Sequence, residues 1–433
     1  MDTTLLIAAA IKIAVFIGIT MSFVSICVIF ERRFSAIIQD RVGPNRTMIP
    51  LSILGFKKDL ALPIGGLTQP VADGLKFILK EDFTPSYVRK FFFWLAPVLV
   101  VVPALLTMAV IPFGSPMEIA GNVIPMAVAD LNVGPLYIFA IASLSVYGIT
   151  LAGWASNSKY PFFGGVRACA QMISYEIALG LSIVPVLMFF GGLNLGHIVE
   201  DQVTNGWLLL PLWNEGGFII GAGYWEDPQA SIQRLLLLIP IFISFIIFTT
   251  SIFAETNRMP FDLPECETEL VGGYHTEYSS MKFALFFMGE YAAMVVGSAL
   301  IVTLFLGGWS IGFGIDNLLP AGAWWVSLLH IGVFLGKVTF FILFFILVRW
   351  TVPRFRYDQL MNLGWIVFFE AALINVFLAA LVIAYPSIGL MGLTIGFALL
   401  ITATILLDQD SQGLLREALR NRSLKPQLIF NLF

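Results

Sequence analysis

The sequence has 433 residues, 58% of them hydrophobic and only 12% charged, with a formal net charge of −4. A soluble domain carries about twice that charged fraction, so a water-soluble enzyme is excluded, and the small net charge gives no footing to a nucleic-acid partner. Apolar runs long enough to cross a hydrocarbon core as helices, about 20 residues each, make this an all-α, multi-pass transmembrane protein.

The chain opens on "MDTTLLIAAAIKIAVFIGITMSFVSICVIF", which lacks a basic leader and is too long for a signal segment, so it reads as a retained first span. Hydropathy predicts spans near 5–30, 94–112, 134–156, 171–191, 234–254, 283–306, 326–349, 365–385 and 389–407, nine in all. Helices are required because a backbone in lipid must satisfy its own hydrogen bonds. Residues 1–407 thus read as one transmembrane domain and 408–433 as a cytoplasmic tail.

Lysines and arginines alternate strictly between connections, which orients the chain. Arg32, Arg33, Arg41, Arg46, Lys57, Lys58, Lys76, Lys80, Arg89 and Lys90 follow the first span, whereas 113–133 has none. Lys159 and Arg167, then Arg258 and Lys282, then Arg349, Arg354 and Arg356 mark the later inner loops, and the 192–233 connection has none before Arg234 opens the next span. The N-terminus is expected outside and the C-terminus in the cytoplasm. Trp207, Trp213, Tyr224 and Trp225 in the long outer loop suit an interfacial aromatic belt.

The inner loops mix arginines, acids, proline and glycine. "LTQPVADGLKFILKE" repeats Leu67, Val71, Leu75 and Ile78 at helical spacing and is too polar to cross, so it reads as a helix lying in the interface. The stretch 251–280 gathers Glu255, Asp262, Glu265, Glu267, Glu269 and Glu277 around a single arginine, Arg258.

Four ionisable groups fall inside spans: Glu176 early in the fourth, Glu290 in the sixth, Lys337 mid-way along the seventh and Glu370 near the start of the eighth. A charge at that depth costs on the order of 3 kcal/mol on insertion scales. Such a carboxyl can take up or release a proton when a neighbouring charge changes. Lys337 is expected to pair with Glu290 or Glu370, and Lys12 to reach the outer interface. His197, His275 and His330 have no metal-pair spacing, and Cys27, Cys169 and Cys266 form no CxxC. There is no Walker loop, dinucleotide fingerprint or nucleophile elbow, so no nicotinamide, flavin or metal is expected on this chain alone. From the residues, the reading is a helical membrane protein with an arginine- and acid-rich cytoplasmic mouth and buried carboxylates that handle protons.

The motifs "RVGPNR", "GGLTQPVADGLKFILKE", "GWASNSKYPFFGGVRACAQMISYE", "FAETNRMPFDLPECETELVGGYHTEYSSMKFALFFMGEY" and "PRFRYDQLMNLGW" closely resemble the quinone-site membrane subunit of respiratory complex I, the NADH:quinone oxidoreductase. The resemblance runs in family order over roughly 30–365. It implies an eight-helix core that forms a quinone chamber with a hydrophilic partner subunit. Flavin and iron–sulfur clusters would sit in partner chains, and antiporter-like subunits would follow in the membrane. On that resemblance, Glu31, Arg32, Arg41, Asp73, Phe283, Phe287, Arg354 and Arg356 are expected at the chamber. Glu176, Glu255, Asp262, Glu265, Glu267, Glu269, Glu277 and Glu290 are expected on the acidic path into the membrane arm.

The chain departs from the family pattern in an insertion near 47–66, "TMIPLSILGFKKDLALPIGG", in the long 192–233 loop, and in a ninth span with a basic tail, "LLREALRNRSLKPQ". A bacterial inner membrane is the expected location, with an organellar membrane as the alternative. Two other functions compete: the equivalent subunit of a membrane-bound hydrogenase or formate hydrogenlyase, and a stand-alone ion transporter. The joint presence of "RVGPNR" and "QPVADGLK" favours quinone, and a lone transporter would need no docking loops.

Overall fold

The computed structural model describes residues 3–45, 47, 49–50, 61–62, 66–119, 122–211, 213–214, 217–218, 228–263, 272–320 and 322–384. The helices in chain order are α1 (Thr3–Ile38), α2 (Gln69–Leu79), α3 (Lys90–Thr107), α4 (Gly134–Ala142), α5 (Leu144–Ala155), α6 (Lys159–Phe190) and α7 (Leu195–Asn205). They continue with α8 (Pro228–Glu255), α9 (Ser280–Phe305), α10 (Trp324–Thr351), α11 (Tyr357–Asn362) and α12 (Phe369–Ala384), the last two joined by a π-helical turn at Leu363–Phe368. Short antiparallel pairs, β1 (Ile49–Pro50) with β2 (Ala61–Leu62), β3 (Gly114–Ile119) with β4 (Asn122–Met126) and β5 (Trp213–Asn214) with β6 (Gly217–Phe218), punctuate the loops.

Among the described residues, 8 helical stretches are long and apolar enough to cross a membrane, with α4–α5 and α11–α12 each counting as one. The expected ninth span, the tail and most of the insertion lie outside the described residues.

Helix α9 occupies the centre. Nearly all of it from Gly289 to Phe305 is buried, and it packs on α1, α2, α3, α7, α8 and α10. Small residues allow that crowding: a β-carbon on Gly289 would meet Val100 of α3 at 2.6 Å, and one on Gly297 would strike Ile252 of α8. Lipid offers no hydrophobic drive between helices, so close approach over small residues supplies the packing energy.

Helices at the arginine-rich end run further than hydropathy predicts. Helix α1 continues to Ile38, and α6 starts at Lys159 rather than near 171. Glu176 is therefore mid-helix, and Glu370, in a span that begins at Tyr357, is also mid-span. Polar residues and the Gly164–Gly165 pair give the start of α6 the look of a loop. Instead Gly165 packs against Gly153 of α5, and a β-carbon on Gly164 would lie 2.7 Å from the backbone nitrogen of Tyr274 and 2.8 Å from the carbonyl carbon of Gly273. That contact seats the turn carrying His275. Gly164→Ala is expected to cost about 1–3 kcal/mol by overpacking against backbone, read as a lower midpoint in thermal unfolding of the solubilised protein.

At the opposite end, Asn194 caps α7, accepting from the backbone N–H groups of Gly196 at 2.8 Å and His197 at 3.3 Å. His197 thus lies on a helix, not in an extended loop. Lys12 donates to the carbonyls of Pro125 at 3.0 Å and Ala127 at 3.3 Å, so it is tied to the β3–β4 hairpin.

Lys337 corrects the sequence reading. Its ammonium donates to the carbonyls of Leu306, Gly308 and Ser310 at 2.7, 3.1 and 2.6 Å and lies 4.0 Å from the Trp207 ring centre. The turn after α9 aims three carbonyls at one point, and they satisfy the charge in place of Glu290 or Glu370.

In the same turn, burial pushes the Asp316 carboxyl up, but hydrogen bonds from His330, Ser310 and the backbone of Ile311 and Gly312 outweigh it and hold the group below the usual carboxylate range. A depressed folded value stabilises the fold above the unfolded carboxyl range and loses that contribution as pH falls through the folded value. Asp316→Asn is therefore expected to lower stability by about 1–3 kcal/mol at neutral pH. The difference from wild type should shrink as unfolding is followed into strong acid.

Candidate functional site

The arginine- and acid-rich end is organised around a buried knot of charges drawn from four elements. Glu31 of α1, Arg258 of the loop after α8 and Glu290 of α9 are each less than a tenth exposed. Arg258 reaches Glu31 Oε2 at 3.0 Å with Nη1 and Glu290 Oε2 at 3.9 Å with Nη2. Arg349, in the last turn of α10, pairs with the other oxygen of Glu31, and the Tyr291 hydroxyl donates to Glu31. The Arg258 guanidinium also lies over the Tyr291 ring at 4.1 Å. These contacts join two carboxylates to two guanidiniums, and a low-dielectric interior holds charge only when it is paired in this way.

The loop carrying Arg258 is itself pinned. Gln171 of α6 donates to the carbonyl of Ala254 at 2.8 Å and of Phe261 at 2.9 Å, closing the end of α8 against the turn that follows. Phe355 donates its N–H to the Pro260 carbonyl at 3.2 Å, and its ring packs on Phe261 at 5.4 Å. The "PRFR" loop is thereby docked on the Arg258 loop, with Arg354 half-buried and Arg356 exposed. Asp262 is buried on the same loop.

Next to the knot lie the residues expected at the mouth. Arg32, one residue past Glu31, pairs with Asp73 of α2 at 2.6 Å, and Gln69 donates to the same carboxylate at 3.1 Å. Helix α2 buries none of its side chains. It leaves Val71, Leu75 and Ile78 exposed and sets Phe77 against Phe283 of α9 at 6.3 Å. Phe283 and Phe287 pack tilted against each other at 4.7 Å, and the buried His275 ring meets Phe283 edge-on at 5.2 Å and stacks on Phe287 at 6.3 Å. Arg41, past the end of α1, donates to Gln39 at 2.7 Å and Ser35 at 3.2 Å on the exposed edge.

Inward from the knot, Glu290 and Glu255 line one cavity of about 70 Å³, shared with Thr107, Ser145, Asn257 and Ala293. On this measure the space accommodates a few waters, and it has the polar partners they need. Glu176 lies close enough to Glu255 for their charges to interact.

The structure thus links Glu31 to Glu290 through Arg258 and sets Glu290 and Glu255 on one cavity, while Arg32 pairs with Asp73 and Phe283 packs against Phe287 beside them. Glu277 does not join that group: it accepts from the Tyr87 hydroxyl at 2.8 Å on the exposed surface. Glu265, Glu267, Glu269 and Arg46 lie outside the described residues. Sequence reasoning missed Arg349, Tyr291, Gln171 and His275 as site residues. Arg258 had a signal, being the lone arginine among six acids, but its partners were not readable.

The NADH dehydrogenase family model matches residues 11–380. An H-type NADH-quinone oxidoreductase subunit of Cytophaga hutchinsonii is 42% identical over 380 residues, covering 87% of this chain and 95% of that protein. An H-type counterpart from Geobacter sulfurreducens is 44% identical over 376 residues, covering 86% and 96%. Another from Leptospira biflexa is 42% identical over 403 residues, covering 91% and 100%. With a family match over residues 11–380 and relatives above 40% identity covered over most of both lengths, the chain belongs to the NADH dehydrogenase family of membrane subunits.

Proposed function

We propose that this chain is the membrane subunit of a proton-translocating NADH-quinone oxidoreductase, and that its mouth and buried acids couple quinone reduction to proton movement. The observation that carries the coupling is Arg258, which holds Glu31 beside the mouth and Glu290 beside the inner cavity with a single guanidinium.

Reducing a quinone to a quinol takes two electrons and two protons, and charge builds on the headgroup before the protons arrive. Electrons come from an iron–sulfur cluster of a partner subunit, so this chain's own part is to bind, shape the field and move protons. Phe77, Phe283, Phe287 and His275 offer flat apolar faces to a quinone ring, with Arg32, Asp73, Arg354 and Arg356 on the polar side. Negative charge appearing at the mouth competes with Glu31 and Glu290 for the guanidiniums, because Coulomb forces act strongly where the dielectric is low. A carboxylate whose partner is drawn away takes up a proton. The cavity passes the change from Glu290 to Glu255 and Glu176, whose titrations are linked by their mutual charge. Glu265, Glu267 and Glu269 belong to the same acidic path in this reading. The antiporter-like subunits take over beyond it, in a bacterial inner membrane with the N-terminus outside.

The test is to isolate the tagged chain from native membranes in mild detergent. Flavin and iron–sulfur subunits should come with it, and NADH oxidation should be blocked by quinone analogues. A lone oligomer, or a preparation that evolves hydrogen and ignores quinone, would overturn the reading.

A further inference from the structure

We propose that the end of the bundle opposite the mouth carries a second proton-exchange site, in which the His330 imidazole, anchored by Asp316, trades protons with the solution through the Ser115 hydroxyl. The inference deepens the proposed function and rests on it for the reaction that drives the protons.

His330 is buried on α10, with Trp309 packed over its ring at 4.6 Å. Its Nε2 lies 3.1 Å from Asp316 Oδ1, and its Nδ1 lies 2.8 Å from Ser115 Oγ on β3. Ser115 continues to Ser327 Oγ at 3.3 Å. Asp316 is held in turn by Ser310 Oγ at 2.6 Å and by the backbone N–H groups of Ile311 at 3.1 Å and Gly312 at 3.3 Å. A cleft of about 400 Å³, lined by Ser115, Glu118, Asp316, Gly322 and His330 among others, leads from this cluster to the surface.

A carboxylate on Nε2 fixes the tautomer that carries its proton there. Nδ1 then faces a hydroxyl, which both donates and accepts. With the ring neutral, Ser115 donates to Nδ1. With the ring protonated, Nδ1–H donates to Ser115 Oγ, and the serine proton turns to Ser327 or to the cleft. A proton reaching Ser115 from solution therefore displaces the serine's own proton onto Nδ1, and release is the reverse. No heavy-atom bond changes and no electron moves.

The charges around the ring suit both states. Asp316 faces it from the turn, and Glu118 of β3 lies across the cleft. On the cationic side, Lys337 is two turns along α10 with its ammonium on the Ser310 carbonyl, and Lys12 of α1 is held by the hairpin carbonyls.

A dry layer separates this cluster from the inner knot of charges. An apolar void of about 30 Å³ is lined by Phe16, Thr20, Met108, Val295, Phe334 and Val338, with others. On α1 its residues fall between Lys12 and Glu31, on α9 between Glu290 and the turn at Leu306, and on α10 between His330 and Arg349. That layer blocks direct return of protons from His330 to the knot, so exchange of His330 with the solution runs through Ser115.

The whole complex is reconstituted in sealed vesicles with the mouth facing NADH, and a pH dye reports protons appearing on the other side. Ser115→Ala keeps the His330–Asp316 pair and removes the hydroxyl. It is expected to slow the first release of protons several-fold and to raise the solvent deuterium effect on that release, which a merely structural loss would not do. His330→Gln is expected to abolish the fast release. Proton release at the wild-type rate in Ser115→Ala overturns the proposal, whether or not His330→Gln assembles. NADH oxidation in the same vesicles reports separately on the proposed function.

Discussion

Arg258→Leu is expected to abolish NADH-driven quinone reduction and to cut the amount of assembled complex in the membrane. The guanidinium bridges Glu31 and Glu290, each less than a tenth exposed. Removing one partner of a buried pair leaves an uncompensated charge, at a cost of about 3–5 kcal/mol. Glu31 retains Arg349, and Glu290 loses its contact with Arg258. The double variant Arg258→Leu with Glu290→Gln should therefore recover assembly, though not activity, because it restores the charge count that Arg258→Leu upsets. Arg258→Lys keeps the charge but has no fork to hold two carboxylates at once. It should assemble and reduce quinone about ten- to a hundredfold more slowly, equivalent to about 1.4–2.8 kcal/mol. Native gels score assembly, and NADH:quinone reductase assays on membranes score rate. Full activity in Arg258→Lys would show that the two-armed contact is not needed, and failure of the double variant to recover assembly would show that the lost positive charge is not the cause.

Glu290→Gln in an otherwise wild-type chain is expected to assemble, since glutamine preserves shape and hydrogen bonding, but to lower coupled quinone reduction about a hundredfold, the lower end of what a positioned proton-transfer group contributes. Glu290→Asp should lose less, because it retracts the carboxyl by one methylene and keeps the proton. Ala293→Val addresses the cavity rather than an acid. Added methyls in the space shared by Glu290 and Glu255 take up the room a bridging water needs, and proton pumping in vesicles should fall while the acids are all present. A Glu290→Gln complex that pumps and reduces quinone normally would remove Glu290 from the path. Normal pumping in Ala293→Val would mean protons do not use the cavity.

Both expectations depend on contacts between residues far apart in the chain. Glu31, Arg258, Glu290 and Arg349 come from four elements, and no local spacing announces that they meet. The same limit explains Lys337. In the sequence a cation deep in a span calls for an acid, and two acids are at hand; in the structure the turn after α9 supplies three carbonyls. Glu277 shows the converse: it has the same composition as its acidic neighbours but sits in a surface contact with Tyr87.

Hydropathy alone determined that the chain is a helical membrane protein, because a long apolar segment in lipid satisfies its polar backbone within itself as a helix. The ordered motifs determined the family, and the rarity of charge in the spans singled out Glu176 and Glu290 as worth explaining. Tertiary structure alone decided how far α1 and α6 extend past the apolar core, since glycine contacts such as Gly153 with Gly165 hold helix where hydropathy fades. It also decided which buried charges neutralise one another. Pairing follows from the packing of α1, α9 and α10 around small residues of the central helix, and that packing is a three-dimensional property with no signature in the linear order of charges.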